Sequence, residues 1–370
     1  MSEGNYGLKE KHGRRKKERK KMNKFLKFIL IFLLIIIVIF AGIVTAAWIF
    51  YNGKLNMIKR EYIDETQIGL SQETEEGLSD YRNIALFGID SRKDDYGVGN
   101  RSDCIMVASI NKKTNEVKLF SVYRDTYLLV TESGNDVLDK VTHAYSYGTA
   151  QNALKSLNTS LDLNIKEYVT VNFDALVTAI DAIGGVKINV DKEEVKYING
   201  YIDETARVAG VKANHITTPG TYNLDGAQAV AYSRIRYTAG GDYKRAERQR
   251  EVLEAMLTKA KSLGLSQLNA LVDEVLPRAS TNMSNSAIND IVFNVMNYKI
   301  GESKGWPYAV TGYTTDRWVA VPLTLESNVK RLHEEYFNQK DYEVSDTVKE
   351  ISNKIIARTG LSEDKAYNED

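Results

Sequence analysis

One expected helix carries arginines at positions that its own periodicity would give to apolar side chains. Its downstream half repeats Val252, Leu253, Met256, Leu257 and Ala260 at helical spacing, the buried stripe of an amphipathic helix. Followed back in steps of four, that stripe runs from Leu253 to Gln249 and Arg245, and from Met256 to Val252 and Arg248. Lys244, Glu247 and Glu251 fall on the other side as solvated charge. Just upstream, Ser233, Arg234, Ile235 and Arg236 alternate with a period of two, which places both arginines on one side of an extended segment. Arginines gathered at a helix start call for a strong anion. Phosphate or pyrophosphate is the natural one, because guanidinium forks bind such oxygens bidentately and a helix N-terminus adds N–H donors and a favourable dipole. Asp242, after Gly240 and Gly241, takes the N-cap position. The competing expectation is that these arginines merely pair with acids on a solvated face.

A second set of charges sits at the ends of apolar runs. Asp90, Ser91 and Arg92 follow NIALFGI at 83–89, Arg101, Ser102 and Asp103 precede CIMVASI at 104–110, and Arg124 and Asp125 follow KLFSVY at 118–123. In open α/β sheets ligands bind beyond strand ends. Arg101 and Asp103 precede their strand, so the three groups meet on one rim only if neighbouring strands run antiparallel. A hairpin with 93–100 as its loop achieves that. Asp90 and Asp103, without histidine or cysteine companions, suit a hard cation such as magnesium (or manganese), which prefers oxygen and is usually held by one or two carboxylates plus substrate phosphates. Arg101 and Arg124 join the phosphate clamp, and Asp125 and Asp90 are acids near enough to act as a general base. Taken singly, each Asp is also what an ordinary loop ion pair looks like. His143 has no second histidine nearby and reads as structural, and Cys104, inside an apolar run, as a small core residue. No P-loop, GxSxG elbow, CxxC or HExxH occurs.

The elements that must position these residues alternate. Strands are expected at 83–89, 104–110, 118–123, 168–171, 186–190 and 318–323, and helices at 144–157, 173–183, 224–232, 243–263 and 327–337, an α/β layered arrangement. Residues 191–221 lack a clean period and read as a surface excursion, and 341–370 as a polar, frayed tail. Lysine plus arginine and aspartate plus glutamate both number 49, so the chain is no general nucleic-acid binder, yet residues 1–24 are strongly basic. The uncharged run that follows, 28–51, would be about 36 Å long as a helix, enough for a hydrocarbon core of about 30 Å. The expected layout is therefore a cytoplasmic basic tail (1–24), a transmembrane helix (25–51), a polar linker (52–80), and a domain at 81–340 outside the cell, by the positive-inside rule. With Cys104 as its one cysteine, that domain must stand on its core rather than on disulfides.

The runs IALFGIDSR, RSDCIMVASIN, FSVYRDTYL, HAYSYG, YVTVNFDALVTAIDAIGGVKINV and LDGAQAVAYSRIRYTAGGDYKRAERQREVL, in that order, resemble the LytR-CpsA-Psr family of Gram-positive cell-wall enzymes. The resemblance covers about 81–338 and implies an α-β-α sandwich. It also implies transfer of a glycopolymer, such as wall teichoic acid or capsular polysaccharide, from an undecaprenyl-pyrophosphate carrier onto peptidoglycan. Carried over, it gives Asp90 and Asp103 to magnesium and Arg101, Arg124, Arg234, Arg236, Arg245 and Gln249 to the pyrophosphate, with Asp242 and Arg248 in support. Tyr123 stands where the family often has proline, and Lys140-Val141-Thr142 where it often has Lys-Ile-Asn. Two other readings use the same residues: a hydrolase of the lipid pyrophosphate, and a non-enzymatic membrane regulator that senses lipid-linked precursors.

Overall fold

The near-continuous apolar runs pair with one another as strands. The computed structural model describes residues 59–91, 95–264 and 274–363, together with positions 53, 267 and 271. In chain order its longer elements begin with β1 (Lys59–Arg60), α1 (Gln72–Gly77), β2 (Tyr81–Ile89), β3 (Ser102–Asn111), β4 (Glu116–Val122), β5 (Tyr127–Glu132), β6 (Asn135–Lys140) and α2 (Val141–Leu161). They continue with β7 (Glu167–Asn172), α3 (Phe173–Ala182), β8 (Val186–Val190), α4 (Lys192–Ala209), β9 (Gly220–Leu224), α5 (Gly226–Arg234) and α6 (Gly241–Ala260). The last are β10 (Ala279–Thr281), α7 (Asn285–Asn294), β11 (Lys299–Trp306), β12 (Val310–Thr314), β13 (Trp318–Pro322), α8 (Leu325–Phe337) and α9 (Asp346–Thr359).

Among the described residues the main sheet has seven strands in the order β1-β10-β7-β2-β3-β4-β11. β3 lies antiparallel to both β2 and β4, while β2 and β7 are parallel. The carboxyl ends of β2, β4 and β7 therefore share a rim with the amino end of β3, as the expected hairpin requires. Strand alternation then divides the side chains between two faces. Ala85, Phe87, Ile105, Val107, Phe120 and Val122 pack with Tyr145 and Leu154 of α2, Val329 of α8 and Ile351 of α9. Ile84, Ile110, Val117 and Leu119 face the other way, against Leu253 and Leu257 of α6 and Ile288 and Ile291 of α7. Helices thus cover both faces of a mixed sheet. A separate core joins α3, α4 and α5 with the β8–β9 hairpin.

Three expectations are corrected. Residues 191–221 contain α4, opened by a capping box between Asp191 and Glu194 and buried through Ile198, Ile202, Thr205 and Ala206. The supposed tail contains α9, whose Val348, Ile351 and Ile355 join the main core. The linker is no mere spacer either, because Ile63, Ile68 and Leu78 are buried in that same core. The basic tail and the apolar run at 28–51 lie outside the described residues. Among the described residues no helix is long and apolar enough to cross a membrane.

Helix α5 has to reach its place through a tight passage. Its first residue, Gly226, follows an Asp225 N-cap, and a Cβ there would run into the backbone carbonyl of Val177 in α3. Gly226→Ala should lower stability by about 1–3 kcal/mol, the cost of overpacking, read as a lower chemical-denaturation midpoint. An unchanged midpoint would contradict this close approach.

Candidate functional site

The shared rim carries the first half of the site. Asp90 follows β2, Arg101 and Asp103 flank the start of β3, and Arg124 follows β4. Helices bring the second half. Arg234 is the last residue of α5, and its neighbour Ile235 leaves helical geometry and is fully buried, so Arg236 comes round to the same side. The pair is therefore set by a helix end and not by the extended segment expected from its alternation. Arg245 and Gln249 project from the first turns of α6. All of these, with Asn100, Phe173, Tyr201 and Tyr237, line one cavity of about 420 Å³.

Among the described residues five guanidiniums and two carboxylates face that space, and the pairs are specific. Arg124 donates to Asp103 Oδ1 at 2.6 Å, and Arg236 Nη2 reaches Asp103 Oδ2 at 3.3 Å. Asp242 Oδ1 lies 3.5 Å from Arg236 Nε and from Arg245 Nη1. Arg234 bonds Glu204 and Thr205 of α4 and lies 4.8 Å over the Phe173 ring. Arg101 makes no ion pair among the described residues. Arg245 is 4% exposed, yet its Nε has no hydrogen-bond partner among the described residues. A buried guanidinium with an idle donor is costly unless a ligand anion completes it.

Two expected members stand elsewhere. Asp242 is not the N-cap, because Gly240 holds that position with φ of 88° and Asp242 lies in the first turn. Burial raises its carboxyl above the ordinary range, Arg236 and Arg124 pull it back, and Asp125 raises it again. Arg248 does not line the cavity. It is 1% exposed and donates to Glu194 Oε1 at 2.7 Å, the Ile235 carbonyl at 3.1 Å and Thr238 Oγ1 at 2.7 Å. It braces the segment that carries Arg236. Glu194 in turn accepts from the Asp191 amide, so one carboxylate both caps α4 and anchors this brace. Glu251 is no plain surface charge, since it pairs with Tyr232 and burial raises its carboxyl.

Two further cavities open beside the first. One, of about 230 Å³, lies between Leu86, Gly88, Cys104, Met106 and Val169 of the sheet and Ala175, Leu176, Val252, Leu253 and Met256 of α3 and α6. It is apolar, and it shares Asp103, Phe173 and Gln249 with the arginine cavity. Small side chains make the room. Gly88 and Cys104 face each other across the strands so closely that a Cβ on Gly88 would crowd Cys104 Cβ at 2.9 Å. Burial pushes the Cys104 thiol up to about 12, consistent with a wall residue and not a nucleophile. The other cavity, of about 190 Å³, is bounded by Tyr123, Asp125, Asp242, Tyr243 and Trp318 and shares Asp103, Arg124, Arg245 and Gln249 with the first. Asp125 sits in this second space, 2.9 Å from Lys140 Nζ and 3.6 Å from Arg124 Nε. His143 bonds Asp139 at 2.7 Å and takes no part in any of these walls.

Sequence periodicity missed Tyr201, Tyr237 and Phe173, which carry no charge to mark them, and Glu194 and Glu204, which lie on the helix that was not expected. It also missed Arg250, 7% exposed on α6.

A model of the LytR_cpsA_psr family matches residues 47–316. The polyisoprenyl-teichoic acid–peptidoglycan teichoic acid transferase TagU of Enterococcus faecalis is 31% identical over 261 residues, 70% of this chain and 79% of that protein. TagU of Bacillus mycoides is 32% identical over 217 residues, 58% of this chain and 64% of that protein, so the match spans just under two thirds of that relative. The crystal structure of Bacillus subtilis TagT is similar with a TM-score of 0.52 at 25% identity, covering 70% of this chain and 92% of that one.

The brace and the thiol are both testable. Arg248→Met leaves Glu194 charged and buried alone, so stability should fall by about 3–5 kcal/mol; an unchanged denaturation midpoint would remove Arg248 from the brace. Cys104 should resist iodoacetamide at pH 8 in the folded protein and react once urea unfolds it, followed by intact mass.

Proposed function

This chain belongs to the LytR-CpsA-Psr family, and from that premise we propose that it transfers a glycopolymer from a polyprenyl-diphosphate carrier onto peptidoglycan. The observation that carries the proposal is the junction at Asp103 and Gln249 of an arginine-lined cavity with an apolar one. A lipid diphosphate needs both environments side by side. Arg101, Arg124, Arg234, Arg236, Arg245 and Gln249 hold the diphosphate, and the prenyl chain lies between the sheet and helices α3 and α6. The carrier is undecaprenyl diphosphate, the polymer is teichoic acid, capsule or a related glycan, and 28–51 anchors the domain outside the cell membrane with the basic tail in the cytoplasm.

The chemistry is phosphoryl transfer. A peptidoglycan hydroxyl, that of N-acetylmuramic acid, attacks the phosphorus attached to the sugar. The bond from that phosphorus to the oxygen bridging the two phosphates breaks, polyprenyl phosphate leaves, and the product is a phosphodiester. Guanidiniums preorganised around the diphosphate stabilise the charge that moves onto the leaving group. The hydroxyl proton passes to the neighbouring carboxylates Asp125 and Asp242. Asp90 and Asp103 offer oxygen alone to the cavity, and among the described residues no cluster of three or more histidine, cysteine, aspartate or glutamate side chains could hold a metal. Two carboxylates completed by substrate phosphates and water are a donor set that fits magnesium, or manganese. Held there, the ion would neutralise diphosphate charge.

Incubating the protein with a polyprenyl-diphosphate glycan, peptidoglycan oligomers and magnesium should give a phosphodiester-linked adduct by mass spectrometry. Arg124→Ala and Asp103→Ala should each lower its rate by at least about 100-fold. Release of free glycan phosphate without adduct would replace transfer by hydrolysis, and an inert wild type that still binds the lipid would replace it by a regulatory role.

A further inference from the structure

A transferase of this kind needs a place for its acceptor as well as its donor, and this inference rests on that reading of the site. In-line displacement at phosphorus brings the attacking oxygen in from the side opposite the leaving oxygen. With the lipid in the apolar cavity, the acceptor must therefore enter through another opening onto the clamp. A recess beside Asp90, Phe173 and Arg234 has only about 30 Å³, room for a few waters at most and not for a sugar. The cavity bounded by Tyr123, Asp125, Asp242, Tyr243 and Trp318 has about 190 Å³, about six times that, and it borders Arg124, Arg245 and Gln249 directly.

Its walls have a particular chemistry. Trp318 is 46% exposed and Tyr243 is 36% exposed, while Tyr123 stands edge to face with Tyr243 at 4.6 Å between ring centroids. The carboxylates of Asp125 and Asp242 line the same cavity as these rings. Pyranose rings offer apolar C–H faces that stack on aromatic rings and hydroxyls that donate to carboxylates, so this combination fits a sugar. A prenyl chain would have to desolvate two carboxylates here, which excludes it. The platform is also firmly placed. The Ala320 amide donates to the Asp125 carbonyl at 2.9 Å, and Thr126 bridges Ala320, so β13 and its first residue Trp318 are tied to the segment that presents Arg124. Lys140, which pairs with Asp125, lies 5.9 Å from the Trp318 ring and helps hold it.

We propose that this cavity is the acceptor subsite, where one amino sugar of a peptidoglycan glycan strand stacks on Trp318 and Tyr243 and presents its hydroxyl to the Asp125–Asp242 pair. Trp318 is a binding residue for the acceptor and does not touch the donor.

The test uses the full-length protein in detergent and a fluorescently labelled, peptide-free peptidoglycan tetrasaccharide. Trp318→Ala should weaken tetrasaccharide binding at least tenfold, with Trp318→Tyr restoring most of it, and both variants should bind a short-chain polyprenyl-diphosphate glycan within twofold of wild type. Unchanged tetrasaccharide binding in Trp318→Ala, no binding by wild type, or an equal loss of donor binding would each overturn the subsite. Transfer separates the two ideas. Adduct formation by Trp318→Ala with an unchanged acceptor KM sinks the subsite and leaves the transferase standing. Tetrasaccharide binding that depends on Trp318, with no adduct from any variant, keeps the subsite as a glycan-binding site and sinks the transferase.

Discussion

Five guanidiniums gathered around one cavity, most of them held by carboxylates from different elements, set the terms for the whole site. Arg101, Arg124, Arg234, Arg236 and Arg245 face one cavity that Asp90 and Asp103 share. Two guanidiniums about 6 Å apart repel by about 3 kcal/mol at an effective dielectric of about 20, so the cluster would splay unless most of its members were tied down. Each tie comes from a different element. Asp103 on β3 holds Arg124 and Arg236, Glu204 and Thr205 on α4 hold Arg234, and Asp242 holds Arg245 from within α6. Behind them the buried Arg248–Glu194 pair fixes the backbone between α5 and α6. What the protein leaves undone, an anion must complete.

The sheet supplies the geometry for this. Because β3 runs against β2 and β4, charges that are far apart in sequence come to one edge, and the same strands leave a floor of small residues at Gly88 and Cys104 beneath α6. Polar and apolar compartments meet at Asp103 of β3 and Gln249 of α6. The departures at Tyr123 and Thr142 also find a role there. The Tyr123 amide donates to the Trp306 carbonyl at 3.0 Å, and Thr142 bonds both the Ser102 carbonyl and the Arg124 carbonyl. Arg124 is thus presented by a hydrogen-bonded turn in place of a rigid proline.

Much of this is legible in the amino-acid sequence. Apolar runs marked β2, β3, β4 and β7, and the step-of-four pattern in α6 pointed to Arg245, Arg248 and Gln249 as a buried polar start. The pattern could not say which way each side chain leaves the helix, and that is why Arg248 reads as a ligand residue in sequence and as a brace in space. Helix α4 was missed although Ile198, Ile202, Thr205 and Ala206 follow helical spacing, because polar residues and Gly200 dilute the stripe; the Asp191 to Glu194 capping box was the overlooked signal. Helix α9 escaped for a similar reason, with Val348, Ile351 and Ile355 diluted among lysines and glutamates. The second cavity was invisible because Trp318 and Asp125 meet only through the pairing of β13 with the turn after β4.

Where the two phosphates and the prenyl chain lie can be seen in a crystal of the protein soaked with a short-chain polyprenyl diphosphate sugar. Both phosphates should lie within hydrogen-bond distance of Arg124, Arg236, Arg245 and Gln249, with the prenyl chain running over Gly88 and Cys104 between the sheet and α6. Phosphates bound away from these arginines, or a chain lying outside the apolar cavity, would contradict this placement.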